Sequence, residues 1–243
     1  MQKITCLLFT LFMCKCPLKA QTAEPSKAVD KRTLQIELES IYSIEKENIS
    51  ESKSLSTPNF LFRYGVLKNV ELQLSIPIIK EDYYEHNELV YSTHKFDDTQ
   101  LGFSINLWNE KKWLPEAALM TRAYLHYQSN LKFDYVGQTV SLNLSNTLTK
   151  KLALNYNFGY AFEKNTELSW FLITNLTYNL SSNWSVFIEY TGNNTTNNNY
   201  LQNGITGISH QINDSFSFDF GFSKGLNHSQ FFTGGRLTWV IKT

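Results

Sequence analysis

Along most of this chain apolar and polar side chains alternate with a period of two. A strand turns successive side chains to opposite faces, so the pattern describes strands with oil on one side and water on the other. FSFDFGFSKG shows it plainly: Phe216, Phe218, Phe220 and Phe222 share one face, and Ser217, Asp219, Gly221 and Ser223 the other. The same reading applies to Leu34–Ile44, Phe60–Val66, Val70–Ile78, Leu101–Leu107, Val140–Leu144, Leu152–Phe162, Leu168–Leu180 and Trp184–Tyr190. TGGRLTWVI closes the chain as a further strand. PEAALMTRAYLHY can be drawn as a strand or a helix, since Ala, Leu, Met and Arg favour helices. Its neighbours are strands reached by tight turns, so a strand is expected over 115–126; residues 201–212 alternate weakly and are also read as a strand.

The expected total is about twelve strands, an even number. The connectors LKN, NEKK, TKK, SSN and NDS are short, whereas residues 46–57, 80–95, 127–135 and 193–200 are longer and polar. Short turns at one end and longer loops at the other are the asymmetry of an outer-membrane barrel. A soluble sandwich also has half-buried strands, but here nearly every strand carries a fully apolar face, and Tyr42, Tyr64, Trp108, Trp113, Tyr178, Trp184, Tyr190 and Trp239 lie near strand ends, where interfacial girdles sit. The expected fold is therefore all-β, a transmembrane antiparallel up-and-down β-barrel over residues 33–243, in the cell outer membrane.

The N-terminus agrees with export. A cationic start, MQK, precedes the apolar run ITCLLFTLFMC and a small residue, Ala20, at the expected cleavage position, so residues 1–20 read as a signal peptide. The run is too short to span a bilayer as a helix. Cys6, Cys14 and Cys16 all fall within it, leaving an exported chain without disulfides. Residues 21–32 read as a short flexible segment, too short for a plug domain and free to meet a periplasmic partner. With the balanced charge of 22 basic and 22 acidic residues and no basic cluster, nothing points to nucleic acid.

At LFRYGVLKNVELQL (61–74), DDTQLGFSINLW (97–108), WLPEAAL (113–119), WSVFIEYTG (184–192) and FSFDFGFSKG (216–225), the chain resembles the MetA-pathway-of-phenol-degradation, or "transporter", family of bacterial outer-membrane barrels. The resemblance implies a barrel that takes up small, often aromatic or apolar, compounds. VDKRTLQIE departs from the family's acidic-basic-proline opening, the glycine usual before Asp98 is replaced, and IKT lacks a terminal aromatic.

Charges on the polar faces are the expected lumen lining: Glu37, Glu39, Arg63, Glu71, Arg122, Glu189, Asp219 and Arg236. They fit two roles, a mixed ring that selects solutes by charge and size, or a set of pairs that fill a narrow lumen and satisfy one another. Arg63 and Glu71, on strands joined by the LKN turn, are expected partners. Two other functions stand beside the passive channel. One is a closed structural or surface-binding barrel working through loops such as EDYYEHNELVY and NNTTNNN. The other is an outer-membrane hydrolase, for which His94 with Asp97 and Asp98, or His228 with Ser229, would be fragments of a site; no G-x-S-x-G or H-E-x-x-H is present. No enzyme activity, metal or cofactor is expected; outer-membrane lipid and a small solute are the expected partners, and the oligomeric state is left open.

Overall fold

A computed structural model describes residues 22–128, 132–164, 168–194 and 200–242. The expected signal peptide with its three cysteines, residues 195–199 of the Asn-rich run, and Thr243 lie outside the described residues. The strands are β1 (Thr33–Glu47), β2 (Ser50–Leu67), β3 (Val70–Glu85), β4 (Glu88–Phe96), β5 (Thr99–Trp108), β6 (Glu116–Gln128), β7 (Lys132–Thr147), β8 (Leu152–Glu163), β9 (Ser169–Asn179), β10 (Trp184–Asn194), β11 (Tyr200–Gln211), β12 (Phe216–Gly225) and β13 (Gln230–Lys242).

Neighbours pair antiparallel in chain order, β1 pairs with β13, and β2 with β3, so the sheet closes on itself. The ring holds twelve strands, with β4 in addition. Closure gives each of the twelve ring strands a partner on both sides, as strands in lipid require. Both ambiguous segments are strands, β6 and β11: in each, the neighbours supply partners on both edges, and tertiary pairing outweighs the helix preference of Ala, Leu and Met.

Strand facing follows the alternation. In β12, Phe218, Phe220 and Phe222 are exposed while Asp219 and Ser223 are buried. Exposed here means lipid-facing, since the outward positions form a belt that includes Leu72, Leu101, Leu119, Phe158 and Ile188. At the end of the barrel with the short turns, Trp184 stacks on His210 at 4.0 Å and Phe216 on Trp239 at 5.5 Å, forming part of an interfacial girdle.

Three of the expected polar loops are largely strand instead, among them 127–135, whose described residues belong to β6 and β7. Residues 46–57 belong almost wholly to the β1–β2 hairpin, and 80–95 to β3 and β4. Asn48 (φ 49°) sits in the first tip, and His86 (φ 51°) and Asn87 (φ 67°) form the second, the left-handed pair a tight hairpin turn needs. These strand ends are wet on both faces, so their ladders continue without any apolar alternation to betray them. β4 runs on from β5 along the same edge of β3. It pairs with Ile78–Glu85 while β5 pairs with Val70–Ser75, and the break between them falls beside Pro77, which has no N–H for the ladder.

Candidate functional site

The lumen is built from the inward alternates. Glu37, Glu39, Arg63, Glu71, Arg122, Glu189 and Asp219 are buried and Arg236 is partly so, all on the inward faces of their strands. Seven of the eight gather on one wall. Arg63 Nε and Nη2 lie 2.8 and 2.7 Å from Glu71 Oε1, and Arg63 Nη1 lies 3.6 Å from Glu37. Arg236 Nη1 reaches Glu37 Oε2 at 3.3 Å, while its Nη2 donates to Asp219 at 2.9 Å. Glu71 also accepts from the Gln73 amide, whose oxygen accepts from Arg122 Nε at 2.7 Å. Polar contacts thus run unbroken from Asp219 on β12 through β13, β1, β2 and β3 to Arg122 on β6. Glu39 accepts from Asn59 at 3.2 Å at the side of this chain. The register of neighbouring strands brings the groups together: Asp219 is opposite Arg236, Arg236 opposite Glu39, and Arg63 opposite Gln73.

Glu189 stands apart on β10. Asn175 of β9 donates to its Oε2 at 2.9 Å, and its cross-strand partner on β11 is Ile205. Elsewhere on the inward faces, Ile41 of β1, Phe187 of β10, Ile205 of β11 and Phe232 of β13 form one buried cluster, with Phe187 pressed against Gly207. These inward hydrophobes went unremarked in the sequence, although the facing of Val186 and Ile188 toward lipid already turns Phe187 inward.

The largest departure from expectation is the N-terminal segment. Rather than hanging free, residues 22–31 form a strap across the lumen, and its extended backbone is bonded by lumen side chains in place of a ladder. Arg32 N–H donates to the Gly65 carbonyl at 2.8 Å where the strap leaves the wall. Inward from there, Val29 N–H donates to Glu71 (2.7 Å), Ala28 N–H to Asn106 (2.7 Å) and the Ser26 hydroxyl to Glu116 (2.9 Å). Glu24 N–H and carbonyl are both met by the Asn157 carboxamide, at 2.8 and 2.9 Å. Arg122 holds the Glu24 carboxylate by two parallel bonds, and Thr22 N–H reaches Glu189 at 2.8 Å. The sequence signal for this was the pair of inward asparagines, Asn106 and Asn157, each of which both donates to and accepts from the strap backbone.

Open space follows from this arrangement. Beside Glu39, Gln100 and Arg122 a cavity of about 10 Å³ remains, room for about one water. At the turn end, between β9 and β12, a cavity of about 250 Å³ is lined by Ser185, Ser209, Gln211, Ser217 and Asp219. The histidine groupings do not assemble into a hydrolytic site in the described residues: Asp98 bonds His126 at 2.8 Å, and His228 faces Asn227 and Gln230.

Solved structures share the barrel. The chain is similar to the COG4313 outer membrane channel from Pseudomonas putida F1, with a TM-score of 0.65 at 11% identity over 90% of this chain and 100% of that one. It is also similar to the KdgM porin (TM-score 0.53, 10% identity, 83% and 97% covered) and to the translocator domain of the autotransporter NalP from Neisseria meningitidis (TM-score 0.52, 10% identity, 87% and 88% covered). At such identities the likeness is one of fold. No curated protein matches in sequence. The family model described as "Putative MetA-pathway of phenol degradation" matches residues 19–240, nearly the whole chain, and the protein belongs to that family of outer-membrane β-barrels.

Proposed function

We propose that the protein is an outer-membrane channel through which small, aromatic or apolar molecules enter passively, and that it catalyses no reaction. The observation that carries this reading is the mixed lining of the lumen. A charged network from Asp219 to Arg122 runs beside an apolar cluster of Ile41, Phe187, Ile205 and Phe232, two of which sit on the same strands, β1 and β13, as Glu37 and Arg236. An amphipathic solute finds in such a lumen both an apolar surface and a field set by the arginines and carboxylates. The family's description and the channel among the similar structures support the same reading. The eight charged residues named from the sequence act in it as lumen lining, with the individual pairs also holding the wall together.

A second reading, a closed barrel working through its exterior hairpins, is favoured by the strap and by the very small space left beside Arg122. Single-channel conductance of the refolded mature protein in planar bilayers separates the two, with Arg63→Ala and Arg122→Ala variants alongside. Steady openings with altered ion selectivity in the variants are expected. A silent bilayer, with heat-modifiable migration of the folded barrel on a gel, favours the closed barrel.

A further inference from the structure

Five hairpin turns lie at the end of the barrel where β1 begins and β13 stops, and lysine is unevenly shared among them. The turns after β2, β5 and β7 carry Lys68, Lys111, Lys112, Lys150 and Lys151 against one acid, Glu110. Those after β9 and β11 carry no lysine and one acid, Asp214. Short turns mark the periplasmic end of an outer-membrane barrel, so this rim meets the phospholipid leaflet. Two of the basic turns are tied together. Glu110 accepts the Thr147 N–H at 2.7 Å, and the Asn146 carboxamide donates to the Trp113 carbonyl at 3.3 Å. Glu110 is thus occupied by a backbone amide, and no ion pair among the described residues includes Lys111, Lys112, Lys150 or Lys151. The exterior end differs: Lys46 and Lys53 lie 3.6 and 3.7 Å from Glu51, and Lys80 lies 3.1 Å from Asp82. Lysines are therefore paired with acids outside and left without them on the periplasmic rim, where four like charges on two linked turns attract an anion.

Apolar side chains stand among these lysines. Trp113 is 85% exposed, and Leu114 and Leu148 are exposed beside it. An indole so uncovered suits the headgroup zone, where its ring is buried and its N–H stays wet. The adjoining strand end belongs to the girdle: the Trp108 indole N–H donates to the Pro115 carbonyl at 2.7 Å, and the Lys151 ammonium lies 6.0 Å from the centre of the lipid-facing Tyr178 ring. Lysines so placed lay their stems along apolar surface and hold their charge at the level of the phosphates. We propose that the linked β5–β6 and β7–β8 turns bind anionic phospholipid, with Lys111, Lys112, Lys150 and Lys151 facing the headgroup and Trp113 seated in the interface beside them. The occupant is a membrane lipid and not a soluble phosphate ester, because the same patch carries the apolar groups that an acyl boundary covers. Anionic lipid then gathers along one sector of the rim, β5 to β8, and leaves the lysine-free sector from β9 to β12 to neutral lipid.

The test refolds the mature barrel into phosphatidylcholine vesicles that contain a trace of spin-labelled phosphatidylglycerol or spin-labelled phosphatidylcholine. Electron paramagnetic resonance reads the fraction of label held at the protein surface. The parent barrel is expected to prefer phosphatidylglycerol about threefold or more, and added salt should shrink that preference. Replacing all four lysines, Lys111→Gln, Lys112→Gln, Lys150→Gln and Lys151→Gln, should abolish it. Lys46→Gln with Lys53→Gln and Lys80→Gln, at the exterior end, should leave it in place. Equal uptake of the two lipids by the parent barrel overturns the proposal, as does a preference that survives the four-lysine variant or falls equally in the exterior one. Competition by soluble glycerophosphoglycerol at fixed ionic strength overturns it too, making the patch a site for free phosphate esters. Retention of the parent barrel on peptidoglycan sacculi, lost in the four-lysine variant and without any lipid preference, gives the lysines a glycan partner instead. The replaced side chains are exposed on turns, so the variants are expected to fold, and heat-modifiable migration on a gel checks this. Lipid preference is read without solute flux, so this inference and the channel reading fail separately.

Discussion

Arg122 holds Glu24 by a two-pronged contact, Nη1 to Oε1 at 2.8 Å and Nη2 to Oε2 at 3.0 Å, and so ties the strap to β6 across the lumen. Both side chains are largely buried, at 6% and 11% exposed. Parallel Arg–carboxylate bonds of this kind are among the stronger and more directional contacts a protein makes.

Glu24→Gln should loosen the strap with little change in the barrel. Breaking one side of a buried pair costs about 3–5 kcal/mol, because the other charge is left behind. Arg122 keeps its bond to Gln73, so β6 itself stays placed. That cost falls on docking of the strap, since water reaches Arg122 once the strap lets go, so the expected result is faster trimming of residues 22–30 by an aminopeptidase with the barrel's own thermal midpoint little changed; unchanged trimming contradicts the strap's dependence on this pair.

Gly65→Ala should disturb the strap from its other end. A methyl at this position would stand 2.1 Å from the Asp30 carbonyl oxygen and 2.7 Å from that of Val29, both backbone atoms that cannot rotate away. The strap's exit must then move, breaking the 2.8 Å bond from Arg32 N–H to Gly65. A loss of about 1–3 kcal/mol is expected, as for other overpacked sites, measured as a lower urea midpoint in detergent, together with increased conductance.

On the lipid face, Phe220→Arg should cost about 2–4 kcal/mol, whereas Trp184→Arg, in the girdle, should cost about 0–1 kcal/mol. Phe220 is 44% exposed and sits between the outward positions Phe218 and Phe222, while Trp184 begins its strand. Urea titration of folding into lipid vesicles gives both values, and equal costs would argue against the facing described for β12.

The exterior hairpin carries its own pH response. The Ser92 hydroxyl, 2.5 Å from Asp82, and Lys80, 3.1 Å away, hold the Asp82 carboxyl below the usual aspartate value. A depressed folded value contributes stability that is fully present above the ordinary aspartate range and is lost as pH falls through the folded value. Ser92→Ala should return the titration toward that of a free aspartate, as read by carbon NMR of the carboxyl group; an unmoved titration would leave Lys80 and Lys53 as the causes.

What could be read in advance depended on contrast between the two faces of a strand. Phe216–Phe222 reveal both strand and facing because lipid and lumen demand opposite chemistry, and Asp219 and Arg236 were assigned inward for the same reason. Where both faces are wet the contrast vanishes, and Ser50–Leu55 or Lys80–Glu85 look like loop although they pair residue by residue. Thr22–Lys31 carries no alternation at all. Its place is set by inward asparagines and carboxylates on five strands, β3, β5, β6, β8 and β10, information spread too widely for any local pattern to hold. The charge pairs were partly legible: Arg63 with Glu71 follows from one turn, while the contact of Arg236 with Glu37 depends on the far end of the chain.

That contact, between positions 199 apart, lies on the seam where the first strand meets the last. Before the seam closes the sheet is an open ribbon with no interior. Read from its attached end, the strap meets Glu71 at a separation of 42 residues, Asn106 at 78, Glu116 at 90, Asn157 at 133 and Glu189 at 167. The order is that in which the strands appear along the chain. Each new strand added to the ribbon can take the next link of the strap, beginning with the nearest partners, whose loop-closure cost is least. The plug need not be threaded into a finished tube; the tube can be wound around it.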